Sequence, residues 1–125
     1  MMTKYIAVLT ASVVVMTMAA FGQKTTKEST VIGDIVDIKS YIAYGMKADN
    51  ADRKAAIEAS IAAGNPLGIL EKSSGKIYVV VMPKNENANA SLKEYLGVHV
   101  YVKGVVYRKA GLQLIIMSDI GKSIK

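Results

Sequence analysis

The chain alternates most cleanly near its C-terminal end. Val98, Val100 and Val102 interleave with His99, Tyr101 and Lys103, the period-two pattern of a strand with one covered face and one wet face. Gly104 breaks the alternation ahead of Val105-Val106-Tyr107, which predicts a single strand bent sharply at that glycine. Arg108 to Gly111 reads as a turn, and Leu112 to Met117 as a returning strand. Upstream, the run from Thr30 to Ile38 is another strand. Ile32, Val36 and Ile38 share one face with Asp34 among them, and Val31, Ile35 and Asp37 share the other. Gly33 inside the run predicts a bend or bulge. Leu67 to Lys72 and Lys76 to Met82 form a hairpin around Ser73-Ser74-Gly75, and Pro83 ends it.

Helical spacing occurs twice. Asp49-Asn50-Ala51-Asp52 supplies a cap and acids for the positive end of a helix dipole. Ala56, Ile57, Ser60 and Ile61 then recur as its buried stripe, and Gly64-Asn65-Pro66 stops it. After the polar loop "KNENANA", Ser91-Leu-Lys-Glu94 has capping-box spacing and predicts a short helix ending at Gly97. The stretch "SYIAYGMK" from Ser40 to Lys47 has no clear period. It is expected to be a lid on the core, with Tyr41 continuing the first strand. The whole is therefore mainly β with two helices, an α+β chain whose order fits a five-stranded barrel with a helical insertion after strand 1.

The N-terminus changes the picture of where this domain works. Met1 to Lys4 is a short basic region, Tyr5 to Ala20 is apolar, and Ala20-Phe21-Gly22 places small residues at a cleavage site. This predicts a signal peptide over 1–22, a flexible leader over 23–29 and one domain over 30–125. The alternative is an uncleaved N-terminal anchor. The expected location is the periplasm or the exterior, with no membrane span in the mature chain.

The chain holds 16 Lys and Arg against 10 Asp and Glu; losing Lys4 leaves 15 against 10, a formal +5. The cations are scattered, which fits a mildly basic exterior better than a dedicated polyanion surface. Cysteine is absent, which excludes disulfides, thiolate metal sites and Cys nucleophiles. His99 is the only histidine, and no orienting partner for it is identifiable in the sequence. Met46, Met82 and Met117 are expected as core filler rather than as a Cu(I) site. Tyr78, Tyr101, Lys103 and Tyr107 offer the aromatic and basic mixture of a nucleic-acid platform, against which the export signal argues. No Gly-rich phosphate loop, nucleophile elbow or Ser-His-Asp motif is present.

From Leu96 onward the chain resembles OB-fold proteins. The run "LGVHVYVKGVVYRKAGLQLIIMSDI" is similar to their ending: Gly97, alternating valines, Gly104, Val106, a turn Gly111 and a closing apolar strand. The segment from Asp37 to Leu70 resembles a narrower group of small exported bacterial proteins of uncharacterised role. They carry Asp-hydrophobic-x-Cys-Tyr-hydrophobic-x-His-Gly, a helix with two more cysteines, and Gly-x-Pro-hydrophobic-Gly. This chain keeps Asp37, Tyr41, Gly45, Gly64, Pro66 and Gly68, but has Ser40 and Tyr44 for the first Cys and His, and Ala56 and Ser60 for the helix cysteines. The resemblance implies that the framework persists without the thiol chemistry. Neutral oxygens hold soft ions poorly, so neither a metal nor any other cofactor is expected.

The expected function is thus an exported, non-enzymatic OB-like binding or accessory module for a partner protein or small ligand. Its expected ligand-binding surface comprises Ser40, Tyr41, Tyr44, Met46, Lys47 and Ser60. One alternative is a hydrolase or isomerase using Asp34, Asp37, Tyr41 or His99. The other is a polyanion or nucleic-acid binder.

Overall fold

The computed structural model describes residues 27–124. The expected signal peptide, its cleavage point and the leader up to residue 26 lie outside the described residues. Among the described residues there are five strands: β1 (Glu28–Asp37), β2 (Leu67–Glu71), β3 (Ile77–Val81), β4 (His99–Lys109) and β5 (Leu112–Lys122). β1 pairs antiparallel with both β2 and β4, β2 with β3, and β4 with β5, while β3 and β5 run parallel. The sheet therefore closes on itself in the order β1-β2-β3-β5-β4. Alternate residues point inward, among them Val31, Ile35, Ile69, Val100, Val102 and Ile115, all buried in one core. Met117 is buried there, and Met46 and Met82 pack against it.

Two glycines make the closure possible. A Cβ on Gly33 would lie 1.8 Å from the Leu70 carbonyl oxygen, and one on Gly104 would lie 2.0 Å from that of Ile116. Neighbouring backbones cross too closely there for any side chain, which is how a five-stranded ring coils tightly enough to shut. The β4–β5 register also shifts between Lys103 and Gly104, so the bend expected at Gly104 is a bulge. Past it, β5 continues to Lys122 rather than ending at Met117. At the other end, β1 begins at Glu28, two residues ahead of Thr30.

The helices differ most from expectation. Three are found among the described residues, not two: α1 (Ile38–Tyr44), α2 (Ala51–Ala62) and α3 (Asn89–Leu92), the last followed by a 3₁₀ turn over Lys93–Tyr95. Tyr41 does not continue the strand; it lies in α1. That helix leaves β1 directly at Asp37 and ends at Gly45, whose N–H donates to the Tyr41 carbonyl (2.8 Å). In α2 the cap is Asn50, whose side chain accepts from the Arg53 N–H (2.9 Å). Of the expected stripe, Ile57 alone is buried; Ser60 and Ile61 are half-buried and Ala56 is exposed. The capping box fails as well. Ser91 lies inside α3, and the side chain that accepts an N–H at its start belongs to Asn87, bonded to Asn89 (2.9 Å). Ala88, Leu92 and Leu96 from this segment join the barrel core.

Candidate functional site

β1 and β4 set Asp34 directly opposite His99. Both side chains point to the outer face, and His99 Nδ1 lies 2.7 Å from Asp34 Oδ1. The second carboxylate oxygen faces Lys47, with Nζ 3.6 Å from Oδ2. All three side chains are partly exposed. In the tautomer that donates from Nδ1 to this carboxylate, Nε2 is the acceptor. Next in the row, the Ser123 N–H donates to the His99 carbonyl (2.9 Å). A hollow of about 110 Å³ opens beside the cluster, lined by Asp34, Ile35, Lys47, Ala48, Asp49 and Gly97. Small-molecule pockets run to roughly 300–1,000 Å³, so this hollow admits a small group and no more.

A wider hollow of about 480 Å³ lies against Thr30, Ile32, Glu71, Lys72 and Ser73. Its Glu71 is already engaged by the Ser74 hydroxyl and, at 3.5 Å, by the Tyr78 hydroxyl.

The six residues expected to bind a ligand are divided by the fold. Ser40 is buried, and its hydroxyl donates to Asp37 Oδ2. Asp37 is fully buried, and its Oδ1 has no hydrogen-bond partner. Ser60 accepts from Asn65 Nδ2 (2.9 Å) at the end of α2. Met46 packs on the core. Tyr41 is half-buried, Tyr44 is 74% exposed, and Lys47 sits on Asp34. Ser40, Ser60 and Met46 are therefore occupied in holding the structure, while Tyr41, Tyr44 and Lys47 remain at the surface. The positions that carry Cys and His in the resembled group, 40, 44, 56 and 60, do not line one buried site, because Tyr44 and Ala56 are exposed. Among the described residues, no three of His, Cys, Asp and Glu gather as a metal-binding group.

The aromatic residues do not share a face either. Tyr78 is buried inside the barrel, with its hydroxyl accepting from Arg108 Nη2 (3.0 Å). Tyr101 lies outside, against Gly121, with Lys103 Nζ 5.8 Å from its ring centre. Its hydroxyl donates to Asp119 (3.2 Å), and the Asp119 carboxylate raises the phenol above its ordinary value.

Two features escaped the sequence. Asp34 and His99 are 65 residues apart, and only the strand register joins them. The visible signal was an acid set into an apolar strand face and a lone histidine on a wet one. The second feature is Ile42, 70% exposed on α1 two positions before Tyr44. The chain matches no protein-family model, no curated protein and no solved structure.

Proposed function

We propose that the chain is an exported OB-like binding module that docks a partner protein through α1. The strand order β1-β2-β3-β5-β4, with parallel β3 and β5 and a helix between β3 and β4, supports the OB-like assignment. The observation that carries the docking surface is the exposure of Ile42 (70%) and Tyr44 (74%) on one seven-residue helix. Ile42 and Tyr44, two residues apart, lie on different sides of α1, and a partner that grips the helix from both sides buries both; aromatic residues are enriched in such contacts. The buried Ser40–Asp37 contact holds the base of that helix, so its tip is presented on a rigid support.

Capture from the periplasmic or secreted fraction tests this reading. Wild-type protein should retain a stoichiometric partner identified by mass spectrometry, and the Ile42→Ser, Tyr44→Ser double variant should lose it while remaining folded. Equal capture by both would remove α1 from the interface. N-terminal sequencing of the exported protein should begin at Gln23.

One observation favours a second reading, a hydrolase or isomerase with His99 as general base. The 2.7 Å contact from Asp34 to Nδ1 orients the imidazole as such a base requires. Turnover of a small ester or of an enolisable carbonyl substrate, abolished in His99→Gln, would establish it. The small volume of the hollow beside the cluster weighs against this reading. The polyanion reading has no comparable support, since Tyr78 is inside the barrel and cannot join Tyr101 in stacking bases.

A further inference from the structure

We infer that the outer face of β3, β5 and β4 is a self-association surface, covered in solution by a second copy of this chain. The first argument is the pattern of the strands. A strand exposed on one face alternates between apolar and polar residues, whereas one covered on both faces is apolar throughout. Ile77 to Val81 contains no charged residue, and Leu112 to Met117 contains only Gln113 as a polar interruption. The inward positions explain half of this, since Tyr78, Val80, Ile115 and Met117 are buried.

The outward half has no such explanation. The pairing sets Val79 beside Leu114 and Leu114 beside Tyr107, then Val81 beside Ile116 and Ile116 beside Val105. Two apolar rows thus cross three strands without a break. Among the described residues, the main helix packing is of α1 and α2 against β1, and beside Val79 and Val81 a hollow of about 210 Å³ stays open between them and Gly64, Pro66 and Glu86. At the margin of the face Tyr107 is 52% exposed and Leu112 68%.

The charges at the ends of the face indicate the occupant. Lys109 stands at the end of β4, opposite Leu112, and Glu28 at the start of the neighbouring β1, opposite Val105, four residues back along β4. The span between them is roughly 13 Å at strand spacing. Neither forms an ion pair with another described residue, although Glu28 Oε2 accepts from the Ser118 hydroxyl. A two-fold axis lying in the plane of the face, running across the strands near Tyr107 and Leu114, brings Lys109 of each copy over Glu28 of the other. An axis along the strands would instead set Lys109 against Lys109, in a chain already carrying a net +6. The face is complementary to itself in one orientation, as an isologous contact requires. It is separate from Ile42 and Tyr44, so loss of partner capture and loss of self-association are independent results.

Analytical ultracentrifugation of the full chain from about 1 to 200 µM, a range covering ordinary specific dimers, tests the proposal. A monomer–dimer equilibrium is expected, with Leu114→Asp monomeric yet unchanged in circular dichroism. Lys109→Glu and Glu28→Lys should each weaken the dimer by roughly tenfold, and the double reversal should recover most of that loss, as charge pairs across an interface do. Because the chain has no cysteine, Tyr107→Cys reports directly on the axis. It should form a disulfide-linked dimer under mild oxidation much faster than Lys72→Cys. A monomer throughout the range, association that persists in Leu114→Asp, or charge reversals that fail to compensate would each overturn the proposal.

Discussion

Ala110 is the one non-glycine among the described residues with a positive φ, 54°, followed by Gly111 at 80°. Lys109 pairs with Leu112, so these two residues alone turn β4 into β5. Such two-residue turns need positive φ at both positions and favour Asn-Gly. Ala pays a steric cost there that Asn avoids in part. Ala110→Asn should therefore raise stability by about 0.5–1 kcal/mol, read from the urea midpoint. The sequence showed a turn here from its glycine, but "RKAG" did not reveal that alanine takes the strained place. Tyr101 offers a second test. Asp119 raises its folded-state pKa above the unfolded value of 10.0, so the folded chain holds the phenolic proton more tightly. The associated stability is intact below the unfolded value and is lost as pH rises through the folded one. Denaturation midpoints should fall between pH 9 and 11, and fall less steeply in Asp119→Asn.

At the scale of the element, α1 has seven residues, too few for helix propensity to sustain on its own. Its anchors lie in the tertiary structure. Ser40→Ala would leave both carboxylate oxygens of buried Asp37 without a side-chain donor, since Oδ1 already lacks one. A loss of about 1–3 kcal/mol is expected from the denaturant midpoint. Tyr41 is half-buried and Tyr44 mostly exposed, so Tyr41→Ala should cost about 1–2 kcal/mol and Tyr44→Ala less than about 0.5. Equal small losses would show that the tyrosines are alike. The sequence could not show α1 because Tyr and Ile favour strands, and the Ser40–Asp37 contact that overrides this preference is not a pattern along the chain. By contrast, α2 was legible, because Asn50 and Gly64-Asn65-Pro66 are local signals at its two ends. Its burial was not, since Ala56 carries too little surface to mark which side meets the barrel.

For the molecule as a whole, the order of strands and their breaks could be read from alternation and glycine, and the core valines of β4 with them. Register could not, and the contact between Asp34 and His99 depends entirely on register. The glycine crossings carry the architecture, so Gly33→Ala should be more damaging than an ordinary surface change. Its Cβ would meet the Leu70 carbonyl oxygen at 1.8 Å, and a loss of about 3 kcal/mol or more is expected in thermal or urea unfolding.

β1 is seamed to β4, and β3 to β5, although long stretches of chain separate the partners. The hairpins β2–β3 and β4–β5 can form early across short turns, but neither shuts the ring. Closure waits for the two halves of the chain to meet, a non-local step that sets folding on the millisecond-to-second scale. Until the two hairpins meet, β3 and β5 each present an open, largely apolar edge. The described strands of the finished ring leave no edge strand to offer a neighbour; the unfinished one has two, and strand-to-strand aggregation is a hazard of its synthesis rather than of its native state.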